Sequence, residues 1–202
     1  TMHALGPGKW VYTRELAKLA EVSTSTASTE CRKLAKQGIL LFKTEGREKS
    51  YKVNLSNPAA RKLYELFESE SRERLYKKNR RLSWALEELT KRLLDFIPQV
   101  QCLILFGSAA RGQHAKTSDV DVLVIVPTME QDDFNKLMKS VDALAADTRG
   151  TYGFQLSAVT MIIKDFESAV RERKRMVQDV LREGVVLFGE ERYYQLLSRL
   201  IS

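Results

Sequence analysis

The feature that most constrains this chain is a pair of apolar runs, VQCLILF at residues 100–106 and DVDVLVIV at 119–126, joined by GSAARGQHAKTS. Continuous apolar character over so few residues suits strands buried within a sheet. Asp119 and Asp121 open the second run, and because strand side chains alternate with period two, both point to one face. Paired carboxylates repel unless a cation lies between them, and hard oxygens converging at a strand end suit Mg²⁺. Gly107 and Ser108 close the first run. A residue without Cβ lets backbone N–H groups approach a phosphate, Ser108 adds a hydroxyl donor, and Gly112 completes the turn.

Gly-Ser, ten residues, Asp-x-Asp resembles the signature of the nucleotidyltransferase superfamily related to DNA polymerase β, in its minimal branch, over about residues 82–202. The resemblance implies a mixed sheet with helices on one side and Gly107 and Ser108 holding nucleotide phosphates. Asp119 and Asp121 would be both the catalytic residues and the ligands of one or two Mg²⁺ (or Mn²⁺), stabilising attack at the α-phosphate of an NTP, most simply ATP, with pyrophosphate leaving. Arg111, His114 and Lys116 on the intervening loop are open to two readings, phosphate contacts or ordinary exposed residues. The family usually carries a third carboxylate on the following central strand. Here that strand is YGFQLSAVTMII, with Gln155 and Ser157 at the expected position, and neither acts as a base at neutral pH. Asp165 and Glu167 come later, at a helix start where negative charge is favoured anyway. Nucleotide and metal binding are therefore expected to survive better than turnover.

At the front, TRELAKLA (13–20) puts Leu16, Ala17, Leu19 and Ala20 on one helical face. EVS then ends in an N-cap at Ser23. The next helix, STSTASTECRKLAKQ, turns Ala27, Cys31 and Leu34 inward and stops at Gly38. ILLFKTEGREKSYKVN reads as two strands joined by EGREKS. Helix, turn, Ser/Thr-rich helix and basic hairpin together resemble the winged helix-turn-helix family of double-stranded-DNA-binding domains, over about residues 3–56. The resemblance implies that the second helix enters the major groove with the wing beside it. The DNA-contacting candidates are Ser23, Thr24, Ser25, Thr26, Ser28, Thr29, Arg32 and Lys33 on the helix and Arg47, Lys49 and Lys52 on the hairpin. Trp10 and Tyr12 read as core or dimer-packing residues.

Charge separates the regions: residues 1–56 hold ten Lys/Arg against five Asp/Glu, while 99–202 hold thirteen against fourteen. A basic front suits a polyanionic partner. Between them, Pro58 starts a charged helical stretch whose apolar stripe is interrupted at 69–74, predicting two helices or one bent one. KKNRR (77–81) reads as a solvated face. The organisation expected is α+β: a winged helix-turn-helix (1–56), a helical linker (57–81) that pairs two copies as a homodimer, and a nucleotidyltransferase-like mixed sheet with flanking helices (82–202). Cys31 and Cys102 suit buried free thiols. No run reaches the roughly 20 apolar residues of a membrane span, and TMHALGPGKW lacks the apolar segment of a secretory signal, so a cytoplasmic protein is expected. Three functions fit: a DNA-binding transcriptional regulator with Mg-nucleotide as effector or residual substrate, an active enzyme moving NMP to a protein (antitoxin-like) or small-molecule acceptor, and an inert dimerisation platform.

Overall fold

The computed structural model describes residues 6–46, 48–113 and 119–201. Two compact units emerge, one of residues 1–67 with 194–202 and the other of Glu68–Tyr193. This division differs from the boundaries at 56 and 82 read from the sequence, and residues 194–202 group with the front of the chain.

In the first unit, β1 (Val11–Tyr12), β2 (Leu40–Glu45) and β3 (Glu48–Val53) form an antiparallel sheet of order β1-β3-β2. Helices α1 (Thr13–Leu19) and α2 (Thr24–Lys36) lie between β1 and β2 in the chain. Glu45 pairs with Glu48, so the hairpin is tighter than the six-residue connection EGREKS anticipated from the sequence. Helix α2 starts where the Ser23 hydroxyl accepts from the Thr26 N–H at 3.0 Å, and Gly38, at φ +71°, takes the left-handed conformation past its end. Val11, Leu16, Ala17, Ala27, Cys31, Leu40, Tyr51 and Val53 fill the core. Leu19 and Ala20 are exposed rather than inward, because α1 is only seven residues long and ends at Leu19. From the C-terminal segment, Tyr194 packs on Tyr64 with ring centroids 5.2 Å apart.

Helix α3 (Pro58–Lys78) runs unbroken through the interrupted stripe, and the chain breaks at Asn79 instead. The polar residues that interrupt the stripe have partners of their own. Buried Glu68 accepts from the Val186 N–H at 3.1 Å, while Arg72 donates to the Val186 and Leu187 carbonyls at 3.0 and 3.2 Å and pairs with Glu190. Charged residues at these positions thus form a polar seam onto a strand edge without ending the helix.

The second unit holds a mixed sheet of order β6-β5-β4-β7, from β4 (Cys102–Phe106), β5 (Val120–Val126), β6 (Leu156–Ile162) and β7 (Val185–Phe188). Strand β4 is antiparallel to both β5 and β7, and β5 is parallel to β6. That parallel pair requires a crossover, supplied by α6 (Gln131–Tyr152). On one face Leu103, Leu105, Val120, Val122, Val124 and Val126 pack with Leu82, Leu86, Leu89 and Leu93 of α4 (Arg80–Phe96) and with Leu137 and Val141 of α6. On the other, α7 (Ile163–Arg171) and α8 (Arg175–Glu183) cover Ile104, Leu123 and Ile125, which are fully buried. Helices therefore flank both faces, where the sequence resemblance implied one. Burial on both faces explains why β4 and β5 read as continuous apolar runs. Among the described residues, no helix is long and apolar enough to cross a membrane.

Candidate functional site

Strand pairing brings together residues far apart in sequence. Phe106 faces Asp121 across the β4–β5 ladder, so Gly107, the next residue, lies against the Asp121 carboxylate. Gly107 has φ +70°, and a Cβ there would collide with Asp121 Oδ2 and stand 3.3 Å from its Cγ. Glycine is thus required twice over, by backbone conformation and by the acid seated on it. Ser108 follows in α5, a single turn spanning Gly107–Ala110, and its carbonyl accepts from the Gln113 N–H at 3.0 Å. Asp119 is exposed just before β5, and Asp121 is half-buried one residue inside it.

The parallel neighbour completes the site. Ser157 pairs with Asp121 in register, and its hydroxyl donates a hydrogen bond to that carboxylate. Burial nonetheless raises the Asp121 pKa above its ordinary value; the Ser157 bond and the Arg111 charge act downward, and the Asp119 charge adds to the rise. Two carboxylates and a hydroxyl therefore meet at one end of β5 and β6, with a Gly-Ser turn beside them. Gln155, the other position considered for a third acid, turns away: its amide donates to the Ala145 carbonyl of α6 at 3.0 Å. Asp165 and Glu167 stay in α7, Glu167 pairing with Arg171 at 3.7 Å. Among the described residues, no group of three or more His, Cys, Asp or Glu side chains is arranged to hold a metal ion.

The donor chemistry fits a hard divalent cation all the same. Mg²⁺ commonly takes only one or two carboxylates from protein and fills its remaining positions with water and substrate phosphates. Asp119 and Asp121 could hold such an ion, and Gly107 lies against the Asp121 carboxylate with Ser108 next in the turn. Arg111 is engaged otherwise, pairing with Glu183 of α8 at 2.5 Å and donating to Gln113 at 3.2 Å. His114 and Lys116 lie outside the described residues.

Two cations that sequence reading left as part of a solvated run lie against loops that adjoin this site in the chain. A side chain at Gly112 would meet Lys78 Nζ at 3.0 Å, and one at Gly153 would meet Arg81 Nη2 at 2.6 Å. No spacing rule links residues 78 and 81 to glycines thirty to seventy positions away, so only the fold reveals them.

The first unit carries a separate polar surface. Thr24, Ser25, Thr26, Thr29, Arg32 and Lys33 are exposed on α2 and Ser28 is half-buried. Arg32 donates to Ser28 Oγ at 3.3 Å, and Lys33 pairs with Glu30 at 2.7 Å. With Arg14, Glu48 and Lys49, part of this helix lines a groove of about 460 Å³ between α2 and the hairpin. Arg14 contacts Glu48 there. Two candidates are corrected. The Ser23 hydroxyl is taken by its capping role, lying also 2.8 Å from Thr26 Oγ1. Lys52 is buried: its ammonium donates to the Ile201 carbonyl at 2.9 Å and lies over the Trp10 ring at 5.3 Å, and burial lowers its pKa. The basic character of the hairpin, which singled out Lys52, does not reveal the C-terminal segment packed over it. Tyr12, expected as core or dimer packing, is exposed beside the groove, and Trp10 is half-buried. Arg47 lies outside the described residues.

Comparison with known proteins bears on the second unit. A family model described as a nucleotidyltransferase domain matches residues 82–176. Among solved structures, the chain is similar to a toxin–antitoxin complex with AMP-PNP, at 23% identity over 56% of this chain and 81% of that one, with a TM-score of 0.39. It is also similar to the toxin–antitoxin pair MntA–HpeT carrying a tyrosine-to-alanine substitution, at 23% identity over 55% and 79% of the two chains, with a TM-score of 0.38. No curated protein gave a match.

Proposed function

We propose that this chain binds a nucleoside triphosphate with a divalent cation at Gly107, Ser108, Asp119 and Asp121, and that the nucleotide controls DNA binding by its N-terminal unit. The observation that carries the nucleotide half is the seat of Asp121 on Gly107, within a segment matched by a nucleotidyltransferase family model. A glycine demanded by an adjacent carboxylate is the arrangement a phosphate turn and a metal ligand need if they are to share one ligand. The DNA half is supported by the Ser/Thr-rich exposed helix, the adjoining hairpin and the cationic groove between them, read as a winged helix-turn-helix.

Each side chain has a defined task in this reading. Asp119 and Asp121 hold the cation, which when bound neutralises charge on the phosphates. Gly107 admits the phosphates close to the backbone, and Ser108 donates a hydroxyl to them. Ser157 orients Asp121 through its hydrogen bond but accepts no proton at neutral pH, so turnover is slow and the nucleotide acts as an effector. Two copies, paired through the helical region, would present α2 to both halves of a two-fold operator. Gel-shift titration of a genomic fragment library with and without Mg-ATP tests the reading: a change in operator affinity supports it, and the same affinity under both conditions refutes the effector role.

A second reading, transfer of NMP to a protein or small-molecule acceptor, is favoured by one observation. A nucleotidyltransferase family model matches residues 82–176, the segment that holds both aspartates. Incubation with labelled ATP and Mg²⁺ separates the two: label incorporated by the wild type and lost in Asp119→Ala/Asp121→Ala would replace the effector reading by the enzymatic one.

A further inference from the structure

The segment between α3 and α4 touches both loops that frame the acid pair. Lys78 ends α3, and α4 begins at Arg80 because Asn79 Oδ1 accepts from the Leu82 N–H at 3.1 Å. From this short stretch, the Lys78 ammonium reaches Gly112, four residues beyond Ser108, and the Arg81 guanidinium reaches Gly153, four residues before Ser157. Lys78, Arg80 and Arg81 are exposed, and among the described residues none has a carboxylate partner; Lys77 beside them is held by Glu73 at 3.2 Å.

Charge accounting shows why unmatched cations matter here. A divalent ion held by two aspartates carries no net charge with its ligands, so it leaves the charge of a triphosphate uncompensated. Arg111 is on the phosphate turn itself but is already balanced by Glu183. Protein cations without a counterion are suited to the remaining phosphate charge, and Lys78 and Arg81 are such cations, lying against the loops that lead from Ser108 and to Ser157. Their chemistries also divide the work, since an ammonium is a mobile point charge and a guanidinium a planar fork suited to two phosphate oxygens.

The geometry points to Lys78 and Arg81 as the phosphate-gripping pair of the site, holding the β- and γ-phosphates of the nucleotide from either side. This deepens the nucleotide-binding reading above and rests on it. Gly112 and Gly153 are themselves required by their left-handed backbone, at φ +67° and +80°.

The test is calorimetric titration of the full chain with inorganic tripolyphosphate in EDTA, followed by titration with Mg-ATP. Tripolyphosphate binds the wild type, and Lys78→Gln and Arg81→Gln each weaken it about tenfold, the loss of one charge-assisted contact. Asp119→Asn/Asp121→Asn binds it at least as tightly as wild type, because two repelling carboxylates are gone. Lys139→Gln, exposed on α6, leaves it unchanged. Both rim positions are exposed, so thermal unfolding of their variants stays at the wild-type temperature. No binding of tripolyphosphate, binding undiminished in the Lys78→Gln/Arg81→Gln double variant, or a loss in Lys139→Gln instead overturns the assignment. Failure of the nucleotide reading looks different: tripolyphosphate binding that depends on Lys78 and Arg81, with Mg-ATP bound equally by wild type and Asp119→Asn/Asp121→Asn, upholds the cation pair while removing the metal site.

Discussion

The two units place their polar side chains by opposite means. In the second, strand pairing gathers Gly107, Asp121 and Ser157 from three separated segments to one point, and each is fixed by its neighbour. In the first, hydroxyls and cations are spread along α2 and the hairpin, and several are matched by a nearby carboxylate, as Lys33 is by Glu30 and Lys43 by Glu45. A site built by convergence should fail sharply when one member changes; a surface built by accumulation should weaken in small steps. The physical difference is that the Gly107, Asp121 and Ser157 contacts are half-buried and hold one another in place, whereas an exposed ion pair contributes only about 0–1 kcal/mol.

Substitution at Gly107 should give the largest effect. Gly107→Ala forces a left-handed backbone, costing about 1–2 kcal/mol, and drives Cβ into Asp121, adding more. Urea unfolding should show a loss of about 3 kcal/mol together with loss of nucleotide binding. A neutral result would mean that Asp121 swings away freely and that convergence is weaker than described. Next, Arg72→Ala removes the donor to the Val186 and Leu187 carbonyls and the partner of Glu190, and should cost about 2 kcal/mol in the same measurement.

Smaller effects sharpen the contrast within the first unit. Lys52→Ala should lower stability by about 1 kcal/mol through the lost bond to Ile201, with little change in the salt dependence of DNA binding. Arg32→Ala and Lys49→Ala should do the reverse: unfolding is unmoved, while the slope of log affinity against log salt falls by about 1 for each phosphate contact removed. If Lys52→Ala reduced that slope as well, the buried placement of this lysine would be refuted.

The smallest effect concerns Cys102. Burial pushes its thiol up to about 12, from an ordinary value of 9.0, so the neutral form prevails in the fold. An alkylating reagent at pH 8 should label it only on global unfolding. The folded-state pKa of this acid is raised, so its contribution to stability is intact below pH 9.0 and is lost as pH rises from there towards 12. Serine at this position should flatten that alkaline decline.

Much of the second unit was legible because its signals are local. Apolar runs marked β4 and β5, and Gly-Ser and Asp-x-Asp drew attention to residues that strand pairing brings together. What stayed hidden depended on distant packing. Ser157 could be told from Gln155 only through the β5–β6 register, and Lys78 and Arg81 only through the position of α4. The stripe interruption at 69–74 read as a helix break or a bend because a sequence does not show that Glu68 and Arg72 meet the backbone of β7. Lys52 misled for the same reason: a lysine on a basic hairpin reads as exposed until the segment that covers it is known.

The most direct measurement of the central claim is Mn²⁺ electron paramagnetic resonance of the full chain titrated with ATP. The account predicts that the free-ion signal falls when protein and nucleotide are both present, beyond what nucleotide alone produces, and that Asp119→Asn/Asp121→Asn abolishes this excess. An equal signal for wild type and variant would contradict it, because the two aspartates would then hold no cation at the Gly-Ser turn.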